Sequence, residues 1–211
     1  MADLSAISEY VINGQADKVQ ESVKKALDDG VDALTILNDG LVKGMDVIGE
    51  KFKNYEVYLP GLIIAARAMK TGLTILKPML ASSDTKSSIK IVIGTVQGDT
   101  HDIGKNIVSA MLEGAGFQVK DLGFDVTPES FVTEIKEGEA QVVGMSSLVT
   151  TNMLSMKDTV EAIIEAGIRD KVKIIIGGAP VTQEYADKIG ADGYSEDAVG
   201  AVELVRKMFK K

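Results

Sequence analysis

Residues 89–105 read Ile89-Lys90-Ile91-Val92-Ile93-Gly94-Thr95-Val96-Gln97-Gly98-Asp99-Thr100-His101-Asp102-Ile103-Gly104-Lys105. The apolar first half predicts a buried strand, and the polar loop after it, of the form Asp-x-His-x-x-Gly, leads into a predicted helix. Such a loop presents an imidazole at the carboxyl edge of a sheet, where open α/β sheets bind their ligands. Asp99, two residues before His101, can fix the tautomer and orientation of that imidazole. We therefore expect the function of the protein to centre on His101.

The sequence after this loop alternates between predicted strands and helices. Further apolar runs, each followed by a helical stretch, lie at 117–122, 140–145, 172–176 and around 192–194. This alternation predicts a parallel sheet covered on both faces. Five strands favour a flavodoxin-like order over a six-stranded dinucleotide-binding fold, so residues 89–211 are predicted to form a Rossmann-type α/β domain.

The sequence before the loop is predicted to be helical. Apolar residues recur three and four positions apart in four segments, and Pro60 suits the first turn of the fourth. Four short-looped amphipathic helices predict a four-helix bundle over residues 1–81, followed by a polar linker at 82–88. The predicted inner face of the fourth helix carries Ile63, Ala66, Met69, Leu73 and Leu76.

Composition narrows the possible partners. The chain has 211 residues, a formal net charge of −8 and no cysteine. An acidic chain without a clustered basic run is a poor candidate for binding nucleic acid or an anionic membrane. The missing cysteines exclude disulfides, thiolate metal sites and iron–sulfur clusters. Because we find no apolar stretch near the roughly 20 residues of a membrane span, and no signal peptide, we expect a cytoplasmic protein.

His101 is the only histidine, and this limits the kind of metal site. One imidazole cannot form a zinc site without other nitrogen or sulfur ligands. It can serve a metal whose other positions a cofactor fills, as the proximal histidine of haem does. Next to it, Asp102 is interpreted as the N-cap of the following helix, and Lys105 as an exposed helix residue.

Two later elements are expected at the same sheet edge. Gly177-Gly178 follows the fourth strand, either as a tight turn or as a place where a flat group approaches the backbone. Neither a Gly-x-Gly-x-x-Gly fingerprint nor a P-loop is present, since Gly104-Lys105 is followed by Asn106. Polar residues follow the third strand, and they can either cap the next helix or line the His101 crevice; the spacing favours neither role. They are Ser146, Ser147, Thr150, Thr151 and Asn152.

Together these motifs resemble those of cobalamin-binding domains. Residues 98–108 are similar to the Asp-x-His-x-x-Gly signature of methionine synthase and of the small corrinoid proteins of methyltransferase systems. The resemblance extends to Gly144-Met145-Ser146-Ser147-Leu148, to Gly177-Gly178 and to the helical half, so nearly the whole chain is covered.

The resemblance implies a cofactor, cobalamin, and a role for each matching residue. His101 would be the lower axial ligand of cobalt in place of the benzimidazole base, and Asp99 would hydrogen-bond its other ring nitrogen. In the helical cap, Phe52 and Leu59 match the apolar residues placed over the upper face of the corrin. The remaining residues implied to contact the cofactor are Gly98, Thr100, Asp102, Ile103, Gly104, Ser146, Leu148, Thr150, Gly177, Gly178 and Ala198.

One position departs from the family pattern. In methionine synthase a serine extends the pair of histidine and aspartate, and the matching residue here is Asn152. An amide can hydrogen-bond Asp99 but cannot exchange a proton as a hydroxyl can.

The resemblance implies a methyl carrier that is not a complete enzyme by itself. A substrate-specific methyltransferase would deliver the methyl group, and an acceptor methyltransferase would pass it to tetrahydrofolate or to a thiol such as coenzyme M. A reductive activation protein is a third implied partner. Methanol, a methylamine, a methoxylated aromatic and a betaine remain possible methyl donors.

Three other functions are considered. A cobalamin-dependent sensor usually carries an added basic DNA-binding domain, whereas this chain is acidic. The cobalamin-binding subunit of an adenosylcobalamin mutase generally lacks a helical cap. A flavodoxin-like module without cobalamin leaves Asp99, His101 and Gly177-Gly178 unexplained together.

Overall fold

The structure is a computed structural model that describes residues 3–82 and 89–209, without the side chains of residues 77 and 80–82. Its described residues form two compact units. One comprises the residues before Ile89 together with Glu113–Gly116, and the other comprises the rest. Ser82 ends a helix, and the remainder of the predicted linker, residues 83–88, lies outside the described residues.

The helical unit contains the predicted helices, with one irregularity. Its elements are α1 (Leu4–Ile12), α2 (Ala16–Asp28), α3 (Ala33–Thr35), a π-helical segment (Ile36–Val42), α4 (Lys43–Lys53) and α5 (Leu59–Ser82). The third predicted helix is thus interrupted by a π-helical segment, which the periodicity did not indicate. Gly40 in the π-helical segment and Gly44 in α4 allow α1 to pack closely against both. A Cβ at Gly40 would lie 3.1 Å from Ile7, and one at Gly44 would lie 2.8 Å from the Ser8 carbonyl oxygen.

Helix α5 supplies the centre of the helical core, and Pro60 lies in its first turn as predicted. The predicted inner face is correct for Ala66, Met69, Leu73 and Leu76 but wrong for Ile63, which is 44% exposed. Buried positions in its first half are instead Leu62, Ala65 and Ala68. The helix is apolar on several sides, so spacing alone did not identify its inner face.

The same helix corrects the expectation that no segment is long and apolar enough to span a membrane. The window Leu59–Leu76 has 18 residues and a mean hydropathy of 1.3, which meets that criterion by length and composition alone. Of this window, 44% is buried within the structure, where α5 packs against α1, α2 and α4. The contacts with three other helices show that α5 is part of the helical core.

The second unit is a five-stranded parallel sheet with flanking helices, as predicted. Its order is β2-β1-β3-β4-β5, which is the flavodoxin-like order. The strands are β1 (Lys90–Thr95), β2 (Gln118–Asp121), β3 (Val142–Ser146), β4 (Lys173–Gly177) and β5 (Gly193–Tyr194). The helices are α6 (Ile103–Gly114), α7 (Pro128–Gly138), α8 (Met153–Glu165), α9 (Gln183–Ile189) and α10 (Ala198–Phe209).

The register of the sheet brings the ends of three strands into one row. Thr95 pairs with Ser146, and Ser146 pairs with Gly177. After β1 the chain adds β2 on one side of the sheet, and after β3 it adds β4 and β5 on the other side. The strand order therefore reverses between β1 and β3. Ligands of open α/β sheets bind at such a reversal, outside the carboxyl ends of the strands.

Asp192 directly precedes β5 and lies at the amino ends of the strands, opposite the end that carries the His101 loop. It accepts hydrogen bonds from Ile174 N (2.8 Å), Arg169 Nη2 (2.8 Å) and Lys173 Nζ (3.0 Å). Burial raises the pKa of this carboxyl, but the hydrogen bond from Ile174, that from Lys173 and the charge of Arg169 outweigh it, so the pKa lies below its usual 3.8. A carboxyl with a lowered pKa stabilises the fold at neutral pH and loses that contribution in acid.

We expect Asp192→Asn to lower the free energy of unfolding at pH 7 by about 2 kcal/mol, because charge-assisted hydrogen bonds are lost. The difference from the wild type should shrink as the pH falls below 3.8, where the native carboxyl also becomes protonated. Urea unfolding between pH 3 and 7 measures it. Asp170→Asn, at an exposed position nearby, is the control and should unfold at nearly the same urea concentration as the wild type. A difference between Asp192→Asn and the wild type that does not change with pH would contradict the role given to the Asp192 carboxylate.

Candidate functional site

The loop between β1 and α6 holds His101 in a defined orientation. Its Nδ1 lies 2.8 Å from Asp99 Oδ1, and its backbone N–H donates to the same oxygen at 2.9 Å. Because a carboxylate only accepts, Nδ1 carries the proton of a neutral imidazole and Nε2 keeps its lone pair. The side chain is 53% exposed, whereas that of Asp99 is fully buried. An imidazole nitrogen that could ligate a metal is thus presented at the surface on a buried carboxylate.

All four hydrogen bonds of the Asp99 carboxylate come from its own unit. Oδ1 takes both donors of His101, and Oδ2 accepts from Ser147 Oγ (3.0 Å) and Leu148 N (2.7 Å). Burial raises the pKa of Asp99, but these four donors outweigh it, those of the His101 and Leu148 backbone most, and hold the pKa at about 2. Asp99 is therefore an anion at any physiological pH.

Ser147, and not Asn152, is the third member of this chain of hydrogen bonds. The Asn152 side chain donates to the carbonyl oxygen of Gly98 at 2.8 Å instead of contacting Asp99. The interpretation of Asn152 as the extension of the histidine–aspartate pair is therefore wrong. Ser147 is fully buried and follows β3 directly, so a hydroxyl is available to Asp99 after all. Spacing showed several hydroxyls after β3 but not which of them faces Asp99.

Gly178 allows the Ser147 loop to occupy this position. Its φ is +127°, and a Cβ there would lie 1.8 Å from the carbonyl oxygen of Ser147. Gly177 ends β4 and accepts a hydrogen bond from Ser147 N at 3.2 Å. A Cβ at Gly177 would meet the Ser195 carbonyl oxygen at 3.1 Å, in the loop that leads to Ala198 at the start of α10. The glycine pair thus joins the loops after β3, β4 and β5.

Lys105 differs from its interpretation as an exposed helix residue. It is 2% exposed, and its Nζ lies 2.5 Å from both carboxylate oxygens of Asp121 and 2.6 Å from Asn106 Oδ1. This ion pair joins the first turn of α6 to the end of β2. Asp102 directly precedes α6, and its carboxylate accepts from Asn106 Nδ2 at 3.0 Å. Its interpretation as the N-cap stays a prediction.

Large apolar side chains are exposed in the segments that follow β1, β2 and β3. They are Ile103 (75%), Phe124 (55%), Leu148 (48%) and Leu154 (60%). Two of them, Phe124 and Leu154, were not among the predicted site residues. The predicted polar contacts Thr100 and Thr150 are exposed in the same loops, Ser146 is partly buried, and a Cβ at Gly104 would meet open space. This edge of the sheet therefore offers both apolar and hydrogen-bonding surface to a large ligand.

Phe52 and Leu59 lie in the helical unit, on either side of one turn. Phe52 is near the end of α4 and partly buried, and Leu59 begins α5 and is 41% exposed. Between them, Tyr55 adopts a left-handed conformation with φ +60°. The turn thus exposes apolar surface in addition to the two predicted residues.

The donor set fits a metal that brings most of its own ligands. Among residues 3–82 and 89–209, no group of three or more His, Asp or Glu side chains is arranged to hold an ion. His101 offers one ring nitrogen that Asp99 does not occupy, and the open space at Gly104 beside it leaves room for a ligand at the backbone. A corrin would bring nitrogen ligands of its own to cobalt, so a single imidazole from the protein would be enough to hold the metal. The residues present therefore suit cobalamin.

Comparison with known proteins agrees with this chemistry. Two family profiles, each described as B12 binding domain, match residues 89–203 and 4–77. A corrinoid protein of Desulfitobacterium hafniense is 44% identical over 100% of this chain and 99% of its own length. A trimethylamine corrinoid protein of Methanosarcina acetivorans is 46% identical over 88% of this chain and 87% of its own length. A chain of the methanol:cobalamin methyltransferase complex of Methanosarcina barkeri superposes with a TM-score of 0.84 at 30% identity, over 96% of this chain and 77% of that one.

The chain therefore belongs to the B12-binding family, and its cofactor is cobalamin or a related corrinoid. Its resemblance to the corrinoid proteins of methyltransferase systems, first recognised from the motifs around His101, is confirmed. A flavodoxin-like module without cobalamin is thereby excluded.

Proposed function

We propose that the protein is a methyl carrier that binds cobalamin with the benzimidazole base displaced and His101 as the lower axial ligand. The observation that carries this proposal is the half-exposed imidazole whose Nδ1 is held by a buried carboxylate with four hydrogen-bond donors. When bound, cobalamin supplies a cobalt atom that accepts a methyl group and gives it up. His101 would bind this cobalt and would have to be able to release it.

The residues around His101 suit this exchange. Asp99 keeps the proton on Nδ1, so Nε2 is the nitrogen available to a metal. Ser147 and Leu148 hold the carboxylate through contacts that do not involve His101. The position of the Asp99 carboxylate therefore does not depend on His101 alone.

For partners, we propose a substrate-specific methyltransferase, an acceptor methyltransferase for tetrahydrofolate or a thiol such as coenzyme M, and a reductive activation protein. The solved complex of a similar chain with a methanol methyltransferase supports the first of these. Relatives named for trimethylamine and dimethylamine make methylamines the first donors to test. We also propose a cytoplasmic location, because the apolar helix α5 is packed within the helical unit.

The axial ligand can be tested by isotope labelling. Since His101 is the only histidine, growth on ¹⁵N-histidine labels this imidazole alone. In the electron paramagnetic resonance spectrum of the cobalt(II) form, an axial ¹⁴N nitrogen splits each line into three and an axial ¹⁵N nitrogen into two. We expect the labelled protein to show the two-line splitting. A three-line pattern in both samples would mean that benzimidazole stays bound and would overturn the proposal.

The carrier role needs a separate test. A methyltransferase encoded beside this gene should methylate the reduced corrinoid on this protein with trimethylamine, dimethylamine, monomethylamine or methanol, followed by absorbance. Methylation by one of these donors supports the carrier. Light-dependent or mutase activity in its place would support the sensor or the mutase subunit.

A further inference from the structure

The segment after β2 contacts the His101 loop at two successive residues. Asp125 Oδ1 accepts a hydrogen bond from Gly98 N at 2.8 Å, and Asp125 N donates to the carbonyl oxygen of Asp99 at 3.1 Å. Next along the chain, Val126 N donates to the Thr95 carbonyl oxygen at 3.0 Å. One loop residue therefore binds the backbone on both sides of the Gly98–Asp99 peptide.

Asp125 adopts an unusual backbone conformation to make these contacts. Its φ is +53°, in the left-handed region that only three non-glycine residues of the described chain occupy. This conformation costs free energy for a residue with a Cβ, although Asp tolerates it better than most. Such conformations persist where the surrounding structure holds them, and they occur frequently at functional sites.

The contacts of Asp125 fix the peptide groups on either side of the Gly98–Asp99 peptide, whose own N–H donates to the Val96 carbonyl oxygen at 3.1 Å. Gly98 has a φ of +84°, and its carbonyl oxygen accepts from the Asn152 side chain, as described above. The N–H of Gly98 is held by a charged acceptor, and charge-assisted hydrogen bonds are stronger than neutral ones. The direction of this peptide determines where the next side chain, Asp99, points. The β2–α7 loop thus sets the orientation of the carboxylate that holds His101.

We propose that Asp125 is a positioning residue for axial coordination by His101, acting through the backbone of Gly98 and Asp99. The inference rests on the proposed role of His101 as cobalt ligand. Nothing in it requires Asp125 to contact the cofactor. Its carboxylate keeps the His101 loop in the conformation that binds, so less of the coordination energy is used to order the loop.

Two substitutions separate the side chain from the backbone conformation. Asp125→Gly removes the carboxylate but accepts a positive φ, and Asp125→Asn keeps an oxygen that can accept from Gly98 N. We expect Asp125→Gly to lower the ratio of coordinated to free His101 about tenfold, the size expected for losing a charge-assisted hydrogen bond. Asp125→Asn, which keeps a neutral acceptor for Gly98 N, should lower the ratio less than Asp125→Gly does. The ratio comes from the nitrogen-split fraction of the cobalt(II) spectrum, under conditions where both forms are detectable in the wild type.

Hydrogen exchange of the apoprotein provides a second measurement without cofactor. The Gly98 amide should exchange faster in Asp125→Gly than in Asp125→Asn, because only the former lacks the acceptor. Asp192→Gly is the matched control, since Asp192 also accepts a backbone N–H at 2.8 Å, at the opposite end of the same sheet. Asp192→Gly should lower the free energy of unfolding but leave the coordination ratio and the exchange rate of the Gly98 amide unchanged.

Two results would overturn the proposal. One is an unchanged coordination ratio in Asp125→Gly. The other is a loss of equal size in Asp192→Gly, which would indicate a general stability effect. If the wild type itself shows no histidine nitrogen on cobalt, the proposed axial ligand is wrong. Gly98 exchange would then still show whether Asp125 holds the loop.

Discussion

We expect His101→Ala to remove the axial nitrogen from protein-bound cobalamin and to weaken cobalamin binding at least about tenfold. Replacing residues that only support a metal ligand often costs 10- to 100-fold in affinity, so removing the ligand itself should cost no less. No other imidazole and no cysteine is present to replace it. The apoprotein should lose about 1 kcal/mol in the free energy of unfolding, because the hydrogen bond to buried Asp99 is lost but the 53% exposed site lets water replace it.

Absorbance and paramagnetic resonance of the reconstituted variant measure the coordination, and isothermal titration measures the affinity. Added imidazole is the control, because it can occupy the space left by the side chain and restore a nitrogen ligand. Persistence of the nitrogen splitting in His101→Ala without imidazole would show that the lower ligand comes from elsewhere.

The second large effect is expected for Gly178→Ala. The new Cβ would lie 1.8 Å from the Ser147 carbonyl oxygen, at a φ of +127° that disfavours any side chain. We expect a loss of about 3 kcal/mol or more in the free energy of unfolding, from strain and from displaced backbone. Movement of Ser147 also withdraws two donors from Asp99, so the variant should bind cobalamin poorly even where it remains folded.

Gly190→Ala is the matched control for this substitution. Gly190 also has a positive φ, +79°, but a Cβ there would meet no atom within 4 Å. It should cost only about 1 kcal/mol, the usual penalty for alanine at a left-handed helix end. Urea unfolding and cobalamin titration of both variants measure the difference. Equal losses would show that the contact with Ser147 is unimportant.

Much of the fold followed from local patterns. Continuous apolar runs identified central strands such as β1, which is buried on both faces, and their alternation with helices identified the parallel sheet. The patterns were less reliable where one element is apolar all round. In α5 the predicted inner residue Ile63 is exposed, and the π-helical segment Ile36–Val42 has no signature in spacings of three and four.

The candidate site was predicted as a set of loops rather than as a set of contacts. Parallel strands deliver their following loops to one edge, so Asp99, His101 and Gly178 could be placed together from the order of the strands. Asn152, by contrast, was assigned from the family pattern to a role that Ser147 performs here. Lys105 looked like a surface residue because charged helix residues usually are. It is buried instead, and its partner Asp121, at the end of β2, is 16 residues away in the sequence.

By itself, the sequence determined that one imidazole follows the first strand of a flavodoxin-like sheet, with an aspartate two residues before it. It also determined that no cysteine or second histidine shares the site, which favours a metal whose other positions a cofactor fills. Only the tertiary structure decided that Ser147 and Leu148 complete the bonds of Asp99 and that Asp125 holds Gly98. These partners are separated by 27 to 49 residues, and a hydrogen bond over such a separation depends on the path of each loop. Periodicity reports which face of an element is buried and carries no information about that path.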